Sequence, residues 1–376
     1  MALIQYLTRI QFEAGAITLL ADELQRLGMS RPLIVTDKGI VAAGLLATVL
    51  AKSGLQQDTA VFDDTPENPT EAAAIRAAEQ FRATGCDSIV AVGGGSAIDL
   101  GKAVSLLATH PGPLEQYAAI LGGLDRITAN KPPVIAVPTT AGTGSEVGRA
   151  ALVSLEDGRK LGFISPYMIP DVAICDPDLT LGLPPYLTAA TGMDAITHCI
   201  ETFLSPRFNP VADAIALDGL ARAAKWIETA TRNGADGTAR REMMMAALQG
   251  GLTFQKGLGA VHSLSHPLGG LKSVKLHHGT LNAVLLPAVL RYNSVGSEEK
   301  YARIQAALGL SEHADLAVEM AALAQRLGLP ATLGQMGVTA DCFEQIAQYA
   351  VMDHSTASNP RPIDAPDFIK ILQESH

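Results

Sequence analysis

The chain has 376 residues, enough for two domains or one large one with a full hydrophobic core. With 48% hydrophobic and 18% charged residues it is not a disordered chain. Its 28 Lys and Arg against 38 Asp and Glu give a net charge of −10 and no basic run, which speaks against binding to nucleic acid or to an anionic membrane.

The N-terminus, MALIQYLTRIQFEAG, has no basic stretch followed by an apolar core, so no signal peptide is expected. No apolar run reaches the roughly 18 residues of a spanning helix. Cys86, Cys175, Cys199 and Cys342 lie far apart, without a CxxC pair. They read as free, mostly buried thiols in a reducing cytoplasm.

In chain order, residues 32–36, 59–62, 88–92, 133–137 and 171–175 read as buried strands, short, rich in Val and Ile and bounded by Gly, Pro or Asp. Between them, 40–53, 70–84 and 96–109 read as helices rich in Ala and Leu. Such alternation predicts a mostly parallel sheet covered on both faces. The character changes at Pro184-Pro185. Beyond it the patterns are helical: 187–204, 209–230, 239–255, 281–292, 298–308, 314–327 and 341–351, with breaks at 257–259 and 268–279. The expectation is an α/β domain over 1–182 and an all-helical domain over 183–376.

The segment SIVAVGGGSAID (Ser88–Asp99) is a strand, a glycine turn and a helix start. Its glycines let backbone approach a ligand, and Ser96 is a candidate N-cap. Free N–H groups at the helix start favour a pyrophosphate, although an ordinary tight turn has the same look, and the pattern is not GxGxxG. The loop PTTAGTGSE (Pro138–Glu146) adds three threonines and a serine after the strand PVIAV, at the sheet edge where open α/β sheets bind ligands. Neither loop is a GxSxG nucleophile elbow. Asp37, at the end of the first strand, suits either a ribose acceptor that disfavours a 2′-phosphate or a capping aspartate.

Asp194 and His198 lie four apart on a helical pattern and share one face. His262 and His266 are also four apart, and His277 and His278 follow. Four of the nine histidines thus fall within residues 262–278. Imidazoles with one carboxylate suit a divalent transition metal, Fe2+ or Zn2+.

These motifs resemble the iron-dependent alcohol dehydrogenase family over nearly the whole chain: GGGSAID, PTTAGTGSE, DPDLT…LPP, TGMDAITHCIE, HSLSHPLGG, HHGTLNAVLLPAVLRYN and NPRPI. The resemblance implies a Rossmann-like dinucleotide-binding domain followed by a helical domain, an architecture shared with dehydroquinate synthase, with NAD(H) and iron as cofactors. It implies Asp194, His198, His262 and His278 as metal ligands, His277 being the neighbour that competes for the last place. It implies His266 as a proton carrier. Gly94, Gly95, Ser96 and Asp99 then hold the pyrophosphate, Thr139, Thr140 and Ser145 line the cofactor, Lys160 contacts it, and Asp37 favours NAD(H) over NADP(H). A homodimer or larger homo-oligomer is expected. Dehydroquinate synthase and glycerol dehydrogenase relatives differ in their metal ligands, and a non-catalytic relative would have lost one.

Arg149, Lys272 and Lys275 lie beside these motifs in an acidic chain and suit an anionic substrate, or else are solvated, with Arg149 paired to Glu146. The GSEVGRAA and KLHHGTLNAVLLP segments are similar to those of 4-hydroxybutyrate dehydrogenases. A short hydroxy acid and its semialdehyde is therefore the leading expectation, ahead of propanediol and lactaldehyde or a simple primary alcohol.

Overall fold

The structure is a computed structural model that describes Ile4, Tyr6, Thr8–Gln56 and Asp58–His376. The opening segment, on which the expectation of no signal peptide rests, lies partly outside these residues. Two compact units emerge: Tyr6–Thr140 with Ser145–Gly182, and Leu183–His376 with Ala141–Gly144.

The first unit contains β1 (Arg9–Phe12), α1 (Leu20–Arg26), β2 (Pro32–Val35), α2 (Lys38–Ala42), α3 (Leu45–Ser53), β3 (Val61–Phe62), α4 (Glu71–Ala83), β4 (Ser88–Gly93), α5 (Gly95–Thr109), β5 (Val134–Pro138), β6 (Ala150–Ser154), β7 (Lys160–Ile164) and β8 (Val172–Cys175). Six strands form one parallel sheet in the order β1-β8-β5-β4-β2-β3. Successive side chains on a strand face opposite ways. Leu33, Val35 and Ile89 therefore pack with α4 and α5, whereas Ile34, Val90 and Val92 pack with Leu20, Leu24 and Val49. Both faces are covered, which is why these strands read as unbroken apolar runs.

The expected helix 40–53 is two helices, because Gly44 turns the chain at a φ of 73°. β1 was not anticipated: it is a short, partly exposed edge strand of mixed polarity. The antiparallel hairpin β6/β7 was not anticipated either. β6 alternates half-buried and buried residues rather than forming an apolar run.

The second unit is helical: α6 (Pro185–Leu204), α7 (Pro210–Arg232), α8 (Gly237–Leu252), α9 (Ala260–Gly269), α10 (His278–Asn293), α11 (Glu298–Ala307), α12 (Leu316–Arg326), α13 (Phe343–Met352) and α14 (Ala365–Glu374). α6 is the central helix, buried from Thr188 through Leu204. Pro185 opens it at the first helical position, where a missing N–H costs nothing. Lys300 Nζ closes it by donating to the carbonyls of Phe203, Leu204 and Ser205 at 3.0, 2.9 and 2.7 Å. Among the described residues no helix is long and apolar enough to cross a membrane.

Glycines set how closely the other helices approach α6. A Cβ at Gly279, in the first turn of α10, would lie 2.2 Å from the Ala190 carbonyl oxygen. One at Gly250 of α8 would lie 3.1 Å from His198 Cβ. Gly279→Ala is thus expected to force α10 off α6 and to destabilise the protein by about 1–3 kcal/mol. Urea unfolding of the metal-free variant against the parent measures this, and an unchanged midpoint would show that the contact is slack.

Candidate active site

The helical unit gathers the histidines that the sequence singles out. α6 carries Asp194 and His198 one turn apart, α9 carries His262 and His266, and His278 opens α10. Asp194 Oδ1 lies 3.4 Å from His198 Nε2, 3.7 Å from His262 Nε2 and 3.7 Å from His278 Nε2. Donor atoms of Asp194, His262 and His278 all fall within 4.8 Å of one another. The His198 ring stacks on His262 at 4.7 Å. His277 instead occupies the N-cap position of α10, edge-on to Tyr186 at 6.5 Å.

The chemistry of this donor set fits a cation. Asn282, one turn into α10, places Nδ2 at 2.7 Å from Asp194 Oδ1 and at 3.2 Å from both His262 Nε2 and His278 Nε2. Once His262 is neutral, as a metal ligand has to be, the two hydrogens of this amide face three groups able to accept. Its own Oδ1 is buried with no partner. Acceptors in excess of donors, in a buried pocket of imidazoles and one carboxylate, suit Fe2+ or Zn2+.

Burial pushes His198 down to about 4, so it is neutral at pH 7. For His262 burial also opposes the charge, but the Asp194 and Glu201 carboxylates outweigh it and push it up to about 9. Burial opposes the charge on Asp194 as well, yet the surrounding imidazoles hold its carboxyl well below the usual range.

Two carboxylates not expected from the sequence hold the rings. Glu201 Oε2 accepts from His262 Nδ1 at 2.6 Å, and Oε1 accepts from the Val261 N–H at 2.7 Å. This leaves His262 Nε2 as the nitrogen nearer Asp194. Gly259 permits the approach, since a Cβ there would lie 2.9 Å from Glu201 Oε1. The signal was present: Asp194, His198 and Glu201 follow at i, i+4 and i+7 on one helix face. The second carboxylate is Asp353, whose Oδ2 accepts from His266 Nδ1 at 2.8 Å. It lies 87 residues from its partner, and no local spacing reveals it.

In the first unit the strand order reverses between β2 and β4, and ligands of open α/β sheets bind at the carboxyl ends flanking such a point. Asp37 follows β2 and Gly93-Gly94-Gly95 closes β4 and opens α5. Asp37 Oδ1 caps α2 by accepting from the Ile40 N–H at 2.9 Å. Gly93 has a φ of 153° and Gly94 packs under Thr140, whose Oγ1 would lie 3.3 Å from an added Cβ. Ser96 is not the N-cap of α5. The strand runs through Gly93, so Gly94 takes the cap position and the Ser96 hydroxyl, already inside the helix, donates to the Glu67 carbonyl. The buried hydroxyls of Thr36, Thr65 and Thr139, all beyond strand C-termini, have no partner within the protein, as a polar ligand edge requires.

Asp99 and Ser145 are engaged with each other. Ser145 Oγ donates to Asp99 Oδ1 at 2.5 Å, and Asp99 Oδ2 accepts from the Leu152 N–H at 3.0 Å. The buried Lys102 donates to Ser145 Oγ, Gly148 O and Ala150 O at 2.8, 2.9 and 2.8 Å. This network pins the loop leading into β6. Lys160 Nζ donates to Asn68 Oδ1 at 3.0 Å. Arg149, Lys272 and Lys275 are exposed, whereas Glu146 is buried.

Residues 8–177 match the model of iron-containing alcohol dehydrogenases, and residues 188–376 match that of the C-terminal part of Fe-containing alcohol dehydrogenases. The chain belongs to the iron-containing alcohol dehydrogenase family. It is 56% identical to the 4-hydroxybutyrate dehydrogenase of Cupriavidus necator, with 100% of both chains covered. It superposes on a crystal structure of 1,3-propanediol oxidoreductase with a TM-score of 0.92 and 35% identity, covering 100% of each chain. A sulfoacetaldehyde reductase from Bifidobacterium kashiwanohense in complex with NAD+ matches at a TM-score of 0.89 and 26% identity, covering 100% of this chain and 98% of that one. The family is one of oxidoreductases that use NAD(H) and iron on alcohols and aldehydes, and this member is an enzyme of that kind.

Two outcomes are expected for an iron-containing alcohol dehydrogenase with this pocket. Below about pH 9 the metal-free protein keeps a proton on His262, and a metal held by this ring would displace it, so metal affinity should rise with pH up to about 9 and then level off. Calorimetry at pH 7 in buffers of different ionisation enthalpy should report about one proton released per metal ion. Glu201→Gln should lower metal affinity about 10- to 100-fold with an unchanged far-ultraviolet circular dichroism spectrum. Unchanged affinity would show that the Glu201 contact is irrelevant to the pocket.

Proposed function

We propose that this enzyme interconverts 4-hydroxybutyrate and succinic semialdehyde with NAD(H). The observation that carries the reading is the full-length 56% identity to a 4-hydroxybutyrate dehydrogenase. The similarity to 1,3-propanediol oxidoreductase carries the second reading, a propanediol or lactaldehyde substrate.

Asp194, His198, His262 and His278 would hold Fe2+, and Zn2+ suits the same donors. When bound, the metal supplies Lewis acidity at the substrate oxygen and the nicotinamide supplies hydride exchange. Glu201 fixes the His262 ring so that Nε2 is the free donor. His266 takes the alcohol proton during oxidation and returns it during reduction. Gly94, Gly95 and Ser96 offer backbone at the start of α5 to the pyrophosphate. Asp99 and Ser145 act behind them by bracing the loop into β6, while Thr139, Thr140 and Lys160 line the cofactor. Asp37 has one oxygen engaged in capping, and its charge selects against a 2′-phosphate.

The division into a dinucleotide half over 1–182 and a metal half over 183–376 is supported by the compact units, which part at Gly182 and Leu183. A cytoplasmic location is supported by four free cysteines. Exposed apolar side chains such as Phe208 and Val295, 74% and 68% accessible, support a homodimer or larger homo-oligomer. Arg149, Lys272 and Lys275 receive the substrate carboxylate in this reading.

Protein reconstituted anaerobically with Fe2+ should oxidise NADH with succinic semialdehyde in preference to lactaldehyde and butanal. Arg149→Ala should cost about fivefold in kcat/KM for succinic semialdehyde, the upper end of one lost exposed charge contact, and leave butanal within about twofold. Equal losses on both aldehydes would overturn the carboxylate role. His262→Ala should abolish metal retention, and a fully loaded variant would overturn the ligand assignment.

A further inference from the structure

We propose that Asp353 is the positioning residue for His266, holding its ring in the Nδ1–H form so that Nε2 receives the substrate proton. The proposal rests on His266 as the proton carrier in the reading above. Asp353 directly follows α13, and both of its oxygens are committed. Oδ2 accepts from His266 Nδ1 at 2.8 Å, and Oδ1 accepts from the Ser355 N–H at 2.8 Å. The backbone N–H therefore fixes which way the carboxylate faces. The His278 and His354 rings lie nearly parallel to His266 at 5.7 and 5.6 Å and restrict its rotation.

In alcohol oxidation the Nε2 lone pair takes the hydroxyl proton, the O–H electron pair stays on the substrate oxygen, and hydride passes to oxidised nicotinamide. The imidazolium charge is balanced by Asp353 until Nε2 releases the proton to water. A ring of the opposite tautomer has a hydrogen on Nε2 and accepts nothing there.

Asp353→Asn separates this role from a structural one. The Ser355 N–H would hold the new amide carbonyl, so the NH2 group would face His266 Nδ1. Nδ1 must then accept, and the proton moves to Nε2 with little change in shape.

Long-range proton–nitrogen correlation spectra of the metal-free protein, recorded where the His266 ring is neutral, read the tautomer directly. Wild type should show His266 protonated at Nδ1, and Asp353→Asn should reverse it. Wild-type protein protonated at Nε2 overturns the proposal without any variant. In the iron-loaded enzyme Asp353→Asn should lower kcat about 100-fold, as general acid–base assistance contributes, with the aldehyde KM within about twofold. On a His266→Ala background the same change should cost less than about twofold, because it acts through that ring. An equal loss on both backgrounds overturns the positioning role. A His266→Ala enzyme with wild-type kcat instead overturns His266 as proton carrier, an outcome distinguished by the tautomer, which is read without turnover.

Discussion

The helical unit depends on one buried charge. Asp194 is 1% accessible, in the middle of a helix that also buries Ala190, Met193, Ala195, Ile196 and Cys199. An ionised carboxylate in such surroundings costs several kcal/mol unless it is paired and hydrogen bonded. Its partners come from three helices: His198 on α6 itself, His262 on α9, and His278 and Asn282 on α10. The charge is therefore tolerable only in the fully packed unit. Gly279 and Gly250 belong to the same constraint. They carry no chemistry, but without them the helix axes stand too far apart for the imidazoles to reach one oxygen.

The dinucleotide half rests on a different constraint. A parallel sheet buried on both faces has no lateral surface left for a ligand. Its polar business is confined to the strand ends, and the reversal of strand order between β2 and β4 selects which ends splay apart. Asp37 and the three glycines occupy those two ends. The unpartnered hydroxyls of Thr36, Thr65 and Thr139 lie beyond three strands of the same sheet. Lys102, Asp99 and Ser145 show how the adjoining loop is kept in one conformation: a buried ammonium reads two backbone carbonyls and a hydroxyl that only a folded loop presents together.

Much of this was legible in the sequence, for a physical reason in each case. Buried parallel strands announce themselves as apolar runs, and amphipathic helices by their period. Asp194 with His198 and His262 with His266 announce themselves because side chains four apart share a helix face. What stayed hidden is non-periodic or long-range. β1 and the β6/β7 hairpin are short and half exposed, so their composition resembles that of loops. Ser96 looks like a cap by residue type, but β4 runs through Gly93 and α5 begins at Gly95, so the turn is the single residue Gly94 and Ser96 is already helical. Glu201 had a local signature, at i+7 from Asp194. Asp353 had none, because its partner is brought to it only by the packing of α13 against α9.

The carboxylates of Glu201 and Asp353 explain why the pocket contains histidines of different kinds. Both accept from Nδ1, so both turn a ring with two equivalent-looking nitrogens into a directional group with Nε2 as its working end. They differ in how firmly they are held. Glu201 is 3% accessible and also caps the first turn of α9 through Val261, so it is fixed by the helix that carries His262. That suits the metal ligand proposed for His262, a ring that would keep one position. Asp353 sits where α13 ends, beside the half-buried His354. That suits the proton carrier proposed for His266, with solvent near enough to take the proton. Since the same hydrogen bond serves both rings, the difference in burial around the carboxylate is what would, on the proposed roles, divide holding a cation from handling a proton.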